Sequence, residues 1–305
     1  MTVEQAQTFS ADDYSLASLQ SKKGSTTVSV CIPARNEEST IAAIVDSVIA
    51  HFGPHVDEKQ PLVDEVLVID DRSTDETAAR ATSAGARVIS VNSVLPQAGV
   101  GSGKGNVLWK SVAACTGDII VWVDADLRSF TPSYILGLLG PLLNDPQVAL
   151  VKGFYERPEQ NGSGGGRTTE LMARPLLSTF FPELGSIHQP LSGEYASRRS
   201  ILEQVPFSQG YGVEVGLLID VARLVGVHRI AQVDLGVRIH RNRPLKALSP
   251  QAMEVLHAVL RRADSVNTDG LGRSLIRPDG PPVAVHTDER PSLLSTPGYR
   301  QTGGA

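Results

Sequence analysis

The chain has 305 residues, with 28 Lys and Arg against 33 Asp and Glu, and a formal charge of −5. Its 41% hydrophobic and 20% charged residues give a globular balance with enough chain to bury a core, which excludes a disordered or fibrous protein. The acid excess argues against a polyanion binder working through a basic surface, but small anions remain possible because a site can be locally basic.

The first residues lack the charged start and apolar run of a secretory signal. No stretch reaches the roughly 18 consecutive apolar residues of a membrane helix. Cys31 and Cys115 lie among apolar neighbours and read as buried free thiols. A cytoplasmic protein is expected.

Residues 1–27 are polar and weakly patterned, which predicts a loose N-terminal arm. From residue 28 to about 155, strand and helix patterns alternate. Val28 to Pro33 is a β-rich run, followed by a helix with Ile41, Ile44, Val45, Val48 and Ile49 on one face. Val66 to Ile69 is a second strand running into Asp70-Asp71. Ser73-Thr-Asp-Glu76 has the form of a capping box opening an Ala-rich helix that Gly85 closes. Arg87 to Ser90 is a third strand, and a glycine-rich loop at 99–105 precedes the next helix. Ile119 to Val123 is apolar on both faces, as a central parallel strand should be, and Asp124-Ala-Asp126 follows it. Thr131-Pro132 starts another helix, and Val148 to Val151 is a fifth strand. The alternation predicts an α/β fold with right-handed crossovers and a mostly parallel, Rossmann-like sheet.

The second half, 156–263, changes character. A flexible glycine loop at 161–166 leads to a helix from about Thr169, then a return strand near 192–196. A helix over 213–224, a strand over 230–240 and a last helix over 249–263 complete it. Met172 and Phe180-Phe181 read as core or interface residues. Residues 264–305 are rich in Gly, Pro and polar residues without periodicity, which predicts a disordered tail.

The loop around Lys104 fails the Walker pattern, because Ala98 and Gly105 stand where glycine and Ser/Thr are required. The first strand also lacks G-x-G-x-x-G, so dinucleotide binding finds no support. The strongest local feature is Asp124-Ala-Asp126. Ligands of open α/β sheets bind beyond the carboxyl ends of the strands, and paired carboxylates there suit Mg²⁺ or Mn²⁺ with a diphosphate. The same triplet can also be an Asp-rich turn capping the next helix. Pro33-Ala-Arg-Asn-Glu37 and Asp70-Asp71 end two further strands, placing polar groups from three strand ends at one crevice. Glu37 and Glu38 would equally suit a helix N-terminus.

These blocks are specific in combination. Val28 to Glu38, Val68-Ile-Asp-Asp-Arg-Ser-Thr-Asp-Glu-Thr77 and Asp124-Ala-Asp126 resemble a GT-A glycosyltransferase using a nucleotide sugar. Gly165-Gly-Arg-Thr-Thr-Glu-Leu-Met-Ala-Arg-Pro-Leu176, Gln189-Pro-Leu-Ser-Gly-Glu-Tyr-Ala196, Gly210-Tyr-Gly-Val-Glu214 and His240-Arg-Asn-Arg-Pro-Leu245 narrow the likeness. Over residues 28–263 the chain resembles the glucosyl-3-phosphoglycerate synthases.

The resemblance implies a retaining transfer of glucose from UDP-glucose to the 2-hydroxyl of 3-phosphoglycerate. That product leads toward glucosylglycerate or methylglucose lipopolysaccharide. The resemblance makes 28–155 the nucleotide-sugar half and 156–263 the acceptor half, and it implies a homodimer. It puts Pro33, Ala34, Arg35, Glu37, Asp71, Lys104, Asp124 and Ala125 on the nucleotide, with Arg238 near the phosphates. Asp126 and His240 would hold Mg²⁺ or Mn²⁺. Gly166, Arg167, Thr168, Thr169 and Asn242 would bind phosphoglycerate. Glu214 would contact the sugar, and the Leu191 carbonyl would lie near the reacting centre. Arg35 stands where relatives more often carry an apolar residue, and Asp71 where they carry a small polar one. Neighbouring readings are a mannosyl-3-phosphoglycerate or polyprenyl-phosphate transferase, or a non-catalytic nucleotide-sugar binder.

Overall fold

The computed structural model describes residues 5–54, 56–57, 60–156, 166–238, 244–278 and 280–299. Its strands in chain order are β1 (Gln7–Ser10), β2 (Val28–Ala34), β3 (Glu65–Asp70), β4 (Arg87–Ser90), β5 (Ile119–Trp122) and β6 (Leu150–Glu156). These are followed by β7 (Tyr195–Arg198), β8 (Phe207–Ser208), β9 (Ile230–Val237), β10 (Ser274–Arg277), β11 (Gly280–Ala284) and β12 (Glu289–Arg290). The α-helices are α1 (Leu16–Lys23), α2 (Ile41–Phe52), α3 (Thr77–Ser83), α4 (Gly103–Ala114), α5 (Ser133–Asn144), α6 (Arg174–Phe180), α7 (Arg199–Leu202), α8 (Val213–Val225) and α9 (Leu245–Arg262).

Among the described residues the main sheet has eight strands in the order β1-β9-β6-β7-β5-β2-β3-β4. All pairings are parallel except those of β7, which runs antiparallel to both β5 and β6. The expected mostly parallel α/β sheet is therefore present, and it draws strands from both halves of the chain. Strand period 2 sorts the core onto two faces. On β5, Ile120 and Trp122 join one cluster with residues of α4 and α8, while Ile119 and Val121 join the other with residues of α2 and α5. Because β5 is covered on both faces, it reads as an unbroken apolar run.

Both chain ends depart from expectation. Strand β1 pairs in parallel with β9, Gln7 opposite Ala231, and α1 follows, so the arm is an edge strand and a helix. The signal missed was short: Ser10 caps the turn after β1 by accepting from Asp12 N (3.2 Å) and donating its own N–H to Asp13 (2.8 Å). The stretch beyond 264 is ordered through residue 299 in the described parts. Strand β12 pairs antiparallel with β8, Trp109 Nε1 donates to the Pro291 carbonyl at 2.8 Å, and the Arg290 guanidinium lies 5.1 Å from the Trp109 ring centroid. Tail residues thus satisfy a buried indole that a bare surface would leave in the core, and such pairing needs no periodic pattern in the tail.

The capping box at Ser73–Glu76 does not form. Helix α3 opens at Thr77 with Asp75 accepting from the Thr77 N–H at 3.0 Å. Ser73, Asp75 and Thr77 also receive the backbone N–H groups of Asn36, Glu38 and Glu37 at 3.0, 3.3 and 2.8 Å. The two motif blocks therefore bind each other and fix the spacing between the ends of β2 and β3. Lys104, expected in a loop, sits in the first turn of α4.

Replacing Trp109 by Phe removes the bond to Pro291 and leaves that carbonyl without the indole donor. A loss of about 1 kcal/mol of unfolding free energy is expected from the denaturant midpoint. An unchanged midpoint would show that the C-terminal segment is not docked in solution.

Candidate active site

The parallel strands β2, β3 and β5 end at one edge, with Ala34 opposite Asp70 and Cys31 opposite Trp122. This is where antiparallel β7 interrupts the parallel order, the kind of topological switch at which open α/β sheets hold ligands. A cleft of about 620 Å³ opens there. Pro33, Ala34, Arg35, Glu37, Asp71, Lys104, Asp124, Ala125 and Asp126 all line it. Thr40 fixes the Asp124-Ala-Asp126 turn by donating its hydroxyl to the Ala125 carbonyl at 2.6 Å.

Beneath the cleft runs an alternating chain of charges. Lys104 Nζ lies 2.8 Å from Glu214 Oε1 and 2.7 Å from Asp124 Oδ1. Asp124 Oδ2 is 3.3 Å from Arg238 Nη2, which also reaches Asp126 Oδ1 at 3.2 Å. Arg238 Nη1 donates to both oxygens of Glu194 at 2.9 Å. Gly193 lets these groups close up, since an added Cβ would stand 2.2 Å from Asp124 Oδ2.

Burial and pairing oppose one another through this chain. Burial alone would raise the Asp124 carboxyl, but Lys104 and Arg238 hold it well below the usual carboxylate range. Burial would lower the Lys104 ammonium, but Asp124 and Glu214 hold it well above the ordinary lysine range. Glu194 is completely buried, and that burial lifts it to about 7 against the pull of Arg238. Burial also pushes the nearby Lys152 down to about 8; its Nζ donates to the Ser192 carbonyl at 2.8 Å and sits 4.3 Å from the Tyr195 ring centroid.

Arg238 differs from expectation in place. It is 6% exposed and does not line the cleft, so it braces Asp124 and Asp126 from behind. Glu214 is likewise nearly enclosed at the start of α8. Asp71 is held by Arg72, at 2.7 Å, with Arg35 at 3.8 Å. Leu191 is half-buried, and its carbonyl accepts no hydrogen bond among the described residues.

The donor set at Asp126 fits a hard divalent cation. Its side chain is 52% exposed at the cleft, and Oδ2 takes no hydrogen bond among the described residues. No group of three or more metal-ligating side chains occurs among the described residues, so most ligands of such a cation must be substrate oxygens or residues outside them. His240 and Asn242 lie outside the described residues. Of the expected acceptor residues, Arg167 and Thr168 line a second recess of about 100 Å³ with Leu171, Met172 and residues of α9. Gly166 precedes this segment and Thr169 is buried in it; none of the four lines the larger cleft.

Sequence reasoning missed Ser102, Gly103, Gly210, Tyr211 and His286, which also line the cleft. Gly210 and Tyr211 belong to a block already noted for Glu214. His286 comes from the segment taken as a tail, where no local pattern marks it. Glu194 was quoted within its block, yet nothing local shows that a carboxylate there meets Arg238.

Known proteins resemble this chain along most of its length. The family model for glycosyl transferase family 2 matches residues 29–205. The chain is 47% identical over 272 residues to the glucosyl-3-phosphoglycerate synthase of Mycolicibacterium smegmatis, covering 88% of this chain and 87% of the relative. It is 46% identical over 282 residues to that of Mycobacterium tuberculosis, covering 90% and 85%. A crystal structure of the M. tuberculosis enzyme with Mn²⁺, UDP-glucose and phosphoglyceric acid superposes with a TM-score of 0.85 at 43% identity, covering 95% of this chain and 98% of that one.

Linkage gives a pH test of the buried charge. Below about pH 8 folded and unfolded chains both carry the Lys152 proton, and burial of that charge opposes folding. Between about 8 and the ordinary value of 10.5 the folded chain releases the proton first, so the opposition fades as pH rises. Relative to Lys152→Met, wild type should therefore gain unfolding free energy across that window. A flat difference would mean that Lys152 titrates normally.

Proposed function

The chain belongs to glycosyl transferase family 2 and, within it, to the glucosyl-3-phosphoglycerate synthases, and from that premise we propose how its residues divide the transfer of glucose from UDP-glucose to 3-phosphoglycerate. One observation carries the division: the residues expected on the nucleotide converge from three strand ends and the first turn of α4 on a single cleft.

Pro33, Ala34, Arg35, Glu37 and Asp71 hold the uridine, and Lys104, Asp124 and Ala125 form the floor beneath it. Asp126 and His240 hold Mg²⁺ or Mn²⁺, which supplies positive charge to the diphosphate as it leaves. Arg238 acts as a positioning residue. Its contacts with Asp124 and Asp126 aim the two aspartates, and its contact with Glu194 spares that buried carboxylate an unpaired charge.

Acceptor binding falls to Gly166, Arg167, Thr168, Thr169 and Asn242. Phosphoglycerate carries a phosphate and a carboxylate, which suit a guanidinium fork and the N–H groups opening a helix. Glu214 makes a poor nucleophile, since it is 4% exposed and its Oε1 is engaged by Lys104. Its place in the proposal is to orient sugar hydroxyls, and the Leu191 carbonyl, which accepts no hydrogen bond among the described residues, lies against the reacting centre. Front-face attack follows: the anomeric carbon–diphosphate bond breaks, the acceptor 2-hydroxyl oxygen bonds to that carbon on the same face, and its proton passes to a diphosphate oxygen.

No helix among the described residues is long and apolar enough to cross a membrane. Two free, buried cysteines accord with a cytoplasmic enzyme. A homodimer through the second-half helices is part of the same proposal.

The test is UDP release from UDP-glucose, 3-phosphoglycerate and Mg²⁺, run beside an acceptor-free control and a panel of nucleotide sugars. Release no greater than the control would sink the reading, and a preference for another sugar would correct the donor. Asp126→Ala should lower kcat by at least about 100-fold with circular dichroism unchanged; near-normal turnover would refute its metal role. Arg167→Ala removes a charge-assisted contact of about 1.5–3 kcal/mol, so the phosphoglycerate KM should rise about ten- to a hundredfold. An equal rise in the UDP-glucose KM would count against that assignment.

A further inference from the structure

The C-terminal segment reaches the cleft through one buried carboxylate. Glu254, on α9 and 5% exposed, accepts the Tyr211 N–H through Oε2 at 2.8 Å and the His286 N–H through Oε1 at 2.9 Å. Gly210 makes room for it: its φ is +70°, and an added Cβ would stand 2.4 Å from Glu254 Oε2.

Three further contacts secure the arrangement. Gln209 N donates to the Asp288 carbonyl at 2.8 Å, and Gln209 Oε1 accepts the Ser102 N–H at 3.0 Å. Ser102 Oγ and His286 Nδ1 share a hydrogen bond of 2.9 Å. The turn into α4, the 208–211 loop, α9 and the C-terminal segment are thus interlocked. Ser102, Gly103, Gly210, Tyr211 and His286 all face the cleft that holds the expected nucleotide residues.

Within this lock the imidazole is fixed at one nitrogen. Nδ1 is engaged by Ser102, while Nε2 makes no hydrogen bond among the described residues and the side chain is exposed on the cleft wall. A ring held at Nδ1 presents Nε2 with little further loss of side-chain freedom on binding. Phosphate and sugar oxygens are the partners that a nucleotide sugar offers such a donor. The reading of the cleft as the donor site is the premise. From it we infer that His286 is a donor-binding residue, contributed by the C-terminal segment and held in place by Glu254.

The experiment compares wild type with His286→Ala, His286→Asn and Glu254→Gln, reading both substrate KM values, UDP affinity by calorimetry with Mg²⁺, and thermal midpoints. His286→Ala should raise the UDP-glucose KM about three- to tenfold, with the phosphoglycerate KM and the midpoint unchanged. His286→Asn should recover part of the loss, since its amide can both meet Ser102 and donate. Glu254→Gln should shift the UDP-glucose KM in the same direction by loosening the clamp. A wild-type donor KM in His286→Ala, or equal changes in both KM values, overturns the inference. A wild type that releases no UDP overturns the premise instead, so the two failures are distinct.

Discussion

Arg238 cannot be accommodated at its position without carboxylates, and the carboxylates around it cannot be buried without Arg238. A guanidinium 6% exposed and a Glu194 fully enclosed would each be strongly destabilising alone, because an unpaired buried charge costs several kcal/mol. Together with Asp124, Lys104 and Glu214 they form a continuous alternation of sign that none of them can leave singly. The mutual dependence fixes where five chain segments meet: the end of β5, the loop before β7, the end of β9 and the starts of α4 and α8. What remains outside this neutralised chain is the exposed side of Asp126, which is the part suited to a cation.

The antiparallel placement of β7 is what makes the alternation possible. Were the sheet wholly parallel, the residue preceding a strand would lie at the edge away from the cleft. Because β7 runs the other way between β5 and β6, its N-terminal side, with Glu194 and Gly193, meets the C-terminal end of β5. Gly193 then admits the Asp124 carboxylate where any side chain would collide with it. Sheet order and one glycine thus set the separation of the charges.

The sequence revealed what depends on local pattern. Apolar runs bounded by turns gave β2, β3, β5 and their crossovers, and acidic residues at strand ends gave most of the cleft. Capping chemistry misled at Ser73–Glu76, because Ser73 serves the neighbouring loop and Asp75 divides its oxygens between that loop and the start of α3. Glu194, Arg238 and His286 were less legible for a common reason. Each acquires its role from partners 32 or more residues away, and nothing within a few residues of it encodes those partners. The C-terminal segment is the extreme case: its strands are short, their pairing is non-local, and composition alone resembles that of an unfolded stretch.

The charge of −5 has a distribution that composition hides. Asp124, Glu194 and Glu214 are spent on internal cations, so they do not repel an incoming anion as a simple count would imply. Arg35, 62% exposed, and Arg72, 36% exposed, share Asp71 and leave positive charge at the same mouth. An anionic ligand therefore meets a cleft whose carboxylates are already neutralised and whose surplus cations face solvent. Short screening lengths confine that local balance to about 8 Å at physiological salt, so the acidic remainder of the surface has little say in it. A protein of net negative charge can in this way receive two small anions, provided the arrangement is built within that distance.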